Sequence, residues 1–222
     1  MSNAENFIPY RGLRFDPETA RKRSREFYEF MDLRRSLRHF SDRPVAPEII
    51  ENVIKTAASA PSGAHKQPWT FCAVRSTELK ARIRQAAEEE EKQNYGGRMS
   101  EQWLADLAQF GTDWQKPFLE TAPWVIVLLK KPYDLDAEGN RRKNYYVNES
   151  VGIAAGMLIA AIHYAGLVTL THTPSPMNFL EKILNRPANE RAVLLLPVGY
   201  PAEGAEVPDL KRKTLEEVMV VY

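Results

Sequence analysis

Apolar runs organise this chain more clearly than any motif. Residues 124–129 carry no polar side chain and predict a strand buried on both faces. Residues 192–198 predict a second such strand, and Trp69–Val74 a third. Residues 151–168 are almost uncharged, yet they reach only the minimum length for crossing a bilayer and are rich in Ala and Gly. They read as a buried core helix, with Asn148 as its cap and Gly166 closing it. A strand at 167–171 follows.

Helical spacing fills most of the rest. Ser24 is expected to cap a helix to about Leu33, with Phe27, Phe30 and Met31 on one stripe. Pro47 suits the first position of the next helix, where Ile49, Ile50, Val53, Ile54, Ala57 and Ala58 keep the period and Pro61 ends it. Thr77 starts a third helix, which runs into the acidic residues 88–91 before Gly96 and Gly97. Shorter helices are expected at 101–110, 113–119 and 178–184, and a charged loop at 134–143. Residues 1–23 read as an extended arm, 24–200 as the body and 201–222 as a tail whose last residues, 218–222, can pair as a strand. The pattern is α+β: a small central sheet wrapped by more helix than strand. Extended arms of this kind pack on a second copy, so a dimer is expected.

Composition narrows the class. Of the 222 residues, 44% are hydrophobic and 27% charged, which excludes a disordered or low-complexity chain. Thirty Lys+Arg against 29 Asp+Glu leave +1 and no electrostatic footprint for nucleic acid. The single cysteine, Cys72, excludes a disulfide framework or cysteine-based zinc cluster within the chain, and it reads as an inert buried thiol. His39, His65, His163 and His172 show no metal-ligand spacing, so no metal is expected. No basic-then-apolar leader opens the chain, and a cytoplasmic location is expected. Dinucleotide, P-loop, HExxH and GxSxG signatures are all missing from the sequence.

Three constellations carry chemistry. In Arg34-Arg35-Ser36-Leu37-Arg38, guanidinium groups and a hydroxyl can hold a phosphate dianion; read alone, the run is a solvated basic helix end. Between Pro61 and Pro68, Gly63 is expected at positive φ in a loop able to aim backbone N–H groups at one oxygen; read alone, it is a rigid connection. Glu91, Tyr95 and Lys116 supply the carboxylate, phenol and ammonium that grip an amino-acid zwitterion; read alone, the first two lie on a charged helix face with Glu88–Lys92 as an ordinary ion pair.

Taken together, the stretches RRSLR, APSGAHKQPW, EEEEKQNYGGRM, THTP, LPVGYP and VPDLKRK, in this order, resemble the nitroreductase-fold flavoproteins, and among them those that dehalogenate tyrosines. The resemblance implies an intertwined homodimer with FMN at its interface. It assigns Arg34, Arg35, Ser36, Leu37 and Arg38 to the FMN phosphate and ribityl chain, Ser62 to the ring, and Thr171, His172 and Thr173 to the ring edge. Thr173 becomes the donor to N5, and Arg212 a flavin contact from the tail. Ala64 offers its N–H to a substrate phenolate, and Glu91, Tyr95 and Lys116 form the zwitterion clamp on a lid at about 91–115. The implied reaction is reductive dehalogenation of 3-halotyrosines by stepwise one-electron transfer, with NAD(P)H or a separate reductase as electron source. An NAD(P)H-dependent nitro- or quinone reductase and a non-catalytic halotyrosine- or flavin-binding protein are the competing expectations.

Overall fold

The structure is a computed structural model that describes residues 7–222. The first six residues of the expected arm lie outside the described residues. The chain divides into two units, one closing at Arg34 and the other Arg35–Tyr222.

The first unit contains α1 (Pro17–Asp32), which begins well before Ser24. Asp16 is the cap: its carboxylate accepts from the N–H groups of Glu18 and Thr19, both at 3.0 Å, and Pro17 takes the first helical position. The arm is therefore shorter than its aromatic and proline content suggests. No α1 residue is buried, and Phe27 and Tyr28 are exposed.

The second unit is built on four strands: β1 (Trp69–Val74), β2 (Trp124–Lys130), β5 (Val168–Thr169) and β6 (Arg191–Gly199), ordered β1-β2-β6-β5 with antiparallel pairing throughout. Period-2 alternation sends the two halves of β2 to opposite faces. Trp124, Ile126 and Leu128 pack on α2 (Pro47–Ala58) and α6 (Val147–Tyr164). Val125, Val127 and Leu129 face α3 (Thr77–Gln93), α5 (Phe118–Thr121) and α7 (Asn178–Ile183). Every β2 residue but the last is buried, as a doubly covered central strand requires.

The helix α6 is long and apolar enough to cross a membrane, and it buries Val151, Ala154, Ala155, Leu158 and Ile162 within this unit. Its cap is Tyr146 in a left-handed conformation; Asn148 instead accepts from Lys130 Nζ at 2.9 Å. The expected charged loop at 134–143 is a hairpin of β3 (Tyr133–Leu135) and β4 (Arg141–Lys143), turned at Gly139 with φ 82°. The strand expected at 167–171 shrinks to β5, after which His172 bridges Leu195. The remaining helices are α4 (Glu101–Ala108) and α8 (Leu215–Val218). The latter starts in a reciprocal capping box of Thr214 and Glu217 and meets the expected terminal strand only at Val218; residues 219–222 form neither helix nor strand in the single chain.

Candidate active site

The loop between α2 and β1 is strained. Ala64 (φ 50°), His65 (φ 55°) and Gln67 (φ 47°) all occupy the left-handed region without being glycine. Ser62 closes the loop by accepting from the Gln67 N–H at 2.9 Å, and Gly63 donates its N–H to Ser150 Oγ at 3.2 Å. Gly63 was expected to supply the positive φ, but its role differs. A Cβ there would lie 2.7 Å from the Tyr145 carbonyl oxygen, so glycine lets two backbone segments touch while its neighbours carry the strain. Gly63→Ala should therefore displace the loop and cost about 1–3 kcal/mol of stability, read as a lower urea midpoint.

The acidic end of α3 is neutralised rather than self-repelling. Arg84 Nε donates to Glu88 at 2.7 Å, replacing the expected Glu88–Lys92 pair. Arg98 reaches Glu90 at 2.8 Å from the π-helical turn Asn94–Arg98 that follows α3. Glu91 Oε2 lies 3.6 Å from Lys116 Nζ, and both side chains are more than nine-tenths buried. Lys116 Nζ also donates to Thr112 Oγ1 at 3.2 Å and to the Asp113 carbonyl, and it sits 5.6 Å from the Tyr95 ring centroid. Tyr95 donates its hydroxyl to the Thr112 carbonyl at 3.2 Å. The three residues of the expected clamp thus share one neighbourhood. Burial pushes the Glu91 carboxyl up and the Lys116 ammonium down, and each restrains the other's drift toward neutrality.

Arg38 completes this neighbourhood. Its guanidinium lies 5.6 Å from the Phe110 ring centroid, and burial holds its pKa below the usual arginine range. Among the described residues no carboxylate pairs with it, and such an uncompensated, half-buried cation suits an anionic ligand. The run beginning at Arg35 is no solvated helix end. Ser36 bridges Thr169, the Leu37 N–H donates to the Thr169 carbonyl at 3.2 Å, and Arg35 donates to the Pro208 carbonyl. Leu37 is buried at the sheet edge, between an exposed Ser36 and a half-buried Arg38. Arg34 closes the other unit.

His172 is buried between two exposed threonines, Thr171 and Thr173. It stands edge-on to Phe118 with ring centroids 5.8 Å apart, and its Nε2 has no hydrogen-bond partner among the described residues. Burial first, then Lys116 and Arg38, pull its pKa from 6.5 down to about 3. Arg212 lies on the exposed tail. Phe110 and Thr112 escaped the sequence reading, since neither belongs to a local pattern, and Glu88 was read only as part of a charged helix face. Cys72 is half-buried with its thiol pKa raised by burial, as an inert thiol should be.

The nitroreductase family matches residues 32–200. This chain belongs to that family. Within it, the chain belongs with the iodotyrosine deiodinases: it is 63% identical over its full length to the whole of an iodotyrosine deiodinase of Haliscomenobacter hydrossis. It is 48% identical to that of Nematostella vectensis, over 97% of this chain and 83% of the relative, and 47% identical to human iodotyrosine deiodinase 1, over 96% and 74%. A crystal structure of oxidised iodotyrosine deiodinase bound to FMN and 3-iodo-L-tyrosine superposes with a TM-score of 0.75 at 31% identity, covering 88% of this chain and 98% of that one. The α+β architecture is thus a nitroreductase fold, and the chain is an oxidoreductase of this family.

Proposed function

We propose that this chain is an FMN-dependent iodotyrosine deiodinase, converting 3-halotyrosines to tyrosine and halide. The buried Glu91–Lys116 pair beside Tyr95 carries the reading, because nitroaromatic and quinone substrates have no zwitterion to satisfy it. FMN, when bound, supplies electrons one at a time to a carbon–halogen bond that no side chain can reduce. Arg35, Ser36, Leu37 and Arg38 would hold its phosphate and ribityl chain, with Arg34 and Arg212 retained on the sequence resemblance. Ser62, Thr171, His172 and Thr173 would line its ring, with Thr173 as donor at N5. The deiodinase relatives and the FMN- and iodotyrosine-bound neighbour support this assignment.

The rest follows from the chain's own groups. The Ala64 N–H holds the substrate phenolate, as a preorganised donor does for a developing oxyanion. Glu91 exchanges Lys116 for the substrate ammonium, and Lys116 with Tyr95 takes the carboxylate. The buried charges therefore balance before and after binding. Residues 91–115 act as the lid, excluding water once the zwitterion is gripped. The active form is a cytoplasmic homodimer in which the tail, 201–222, packs on the second copy and covers Val220 and Val221, exposed in the single chain.

Anaerobic mixing of dithionite-reduced protein with iodotyrosine tests the reading. Two electrons and a proton should convert each iodotyrosine to tyrosine and iodide as the flavin reoxidises. Reoxidation by nitroaromatics with none by iodotyrosine would make the chain a nitroreductase. Ligand binding without reoxidation would make it a binding protein.

A further inference from the structure

The amide of Lys116 needs a partner. Pro117 follows it, and α5 begins only at Phe118, so this N–H precedes the helix and has no helical acceptor. The Lys116 side chain is more than nine-tenths buried, where an unmet donor would be costly. Glu88 meets the need: its Oε1 accepts the Lys116 N–H at 2.7 Å. The same oxygen accepts from Arg84 Nε at 2.7 Å, and Arg84 reaches Glu120 of α5 at 3.5 Å. One carboxylate thus ties α3 to the far end of the segment 94–115. Glu88 and Glu91 are three apart on α3 and share a face. The first therefore holds the backbone of Lys116, and the second meets its ammonium.

We propose that Glu88 is a positioning residue for the zwitterion site: by anchoring the Lys116 backbone it sets the separation between the carboxylate and ammonium that grip the amino-acid end of the substrate. This rests on the clamp reading above. The Glu88 carboxylate is already engaged by the Lys116 N–H and by Arg84, so its part is to hold the backbone and not to grip the ligand. Its neighbours on the run do other work, since Glu90 pairs with Arg98 and Glu89 is not among the buried or paired carboxylates.

The test uses the flavin-loaded protein and two variants. Glu88→Ala removes the acceptor. Glu88→Gln keeps a carbonyl oxygen for the Lys116 N–H and gives up the charge. Flavin-fluorescence titration should show Glu88→Ala weakening iodotyrosine by about tenfold or more, with 2-iodophenol, which has no zwitterion, changed by less than about twofold. Glu88→Gln should restore most of the iodotyrosine affinity. Equal weakening of both ligands would reduce Glu88 to a structural residue and overturn the proposal. So would unchanged iodotyrosine binding in Glu88→Ala, or a Glu88→Gln variant as impaired as Glu88→Ala.

If the wild type itself ignores iodotyrosine, the clamp reading fails, and the tether is still tested by trypsin. Cleavage after Arg98 should then be faster in Glu88→Ala than in wild type or Glu88→Gln. Identical cleavage of all three would remove the tether too.

Discussion

Acid should destabilise the wild-type chain more steeply than its His172→Gln variant. The imidazole is held neutral by burial first, and then by the positive charges of Lys116 and Arg38, so its pKa falls from 6.5 to about 3. Between these values the unfolded chain binds a proton that the native chain refuses. A depressed folded-state pKa contributes stability that is complete above 6.5 and is lost as pH falls toward 3. The slope approaches about 1.4 kcal/mol per pH unit, so the step from pH 6.5 to pH 4 should remove about 3 kcal/mol. Urea unfolding of both proteins at the two pH values isolates the effect, because the other titrating groups are common to both and any baseline cost of the substitution cancels. Among those common groups is Glu91, whose raised pKa acts in the opposite direction. Parallel losses in the two proteins would show that His172 accepts a proton within the native fold.

What could be read in advance follows from how local each signal is. The uninterrupted apolar residues 124–129 can satisfy period-2 alternation only by covering both faces, and β2 does so with Trp124, Ile126 and Leu128 on one side and Val125, Val127 and Leu129 on the other. Pro47 and Gly166 mark true helix boundaries, because proline fixes a helical φ at the start of α2 and glycine tolerates the φ of 72° that follows α6. The start of α1 was equally local, in Asp16-Pro17-Glu18, but was outweighed by the aromatics around it. The capping box of α8 was likewise legible, in Thr214 and Glu217.

Other features had no local signal. Gly63 is small because of Tyr145, which lies far along the chain, and the positive φ falls on Ala64 and His65 instead. The partners of the acidic run, Arg98 for Glu90 and Lys116 for Glu91, lie beyond α3 and become visible only when the chain folds back on it. Arg38, Phe110, Lys116 and His172 come from different elements, and only the folded sheet and helices bring them together.

Glu91→Gln should have a comparably large effect, and it separates a deiodinase from other members of the fold. Without ligand, Glu91 is the carboxylate facing Lys116 at 3.6 Å, with Thr112 Oγ1 and the Asp113 carbonyl as the ammonium's remaining acceptors. The amide keeps the shape, and in the free protein the Lys116 ammonium still has Thr112 Oγ1 and the Asp113 carbonyl, so the free state should lose less than the complex does. In the complex the loss falls on the substrate ammonium. Removing one partner of a desolvated charge pair costs roughly 2–5 kcal/mol, which weakens iodotyrosine about thirtyfold or more. The compound 2-iodophenol presents the same ring and halogen without the ammonium, so its affinity should hardly change. Flavin-fluorescence titration of both ligands against both proteins reads the difference directly. Equal weakening of the two would make Glu91 a lid-holding residue. Iodotyrosine binding that survives the substitution would mean that the Glu91–Lys116 pair serves only the fold, and the chain would then be a general nitroreductase-family reductase.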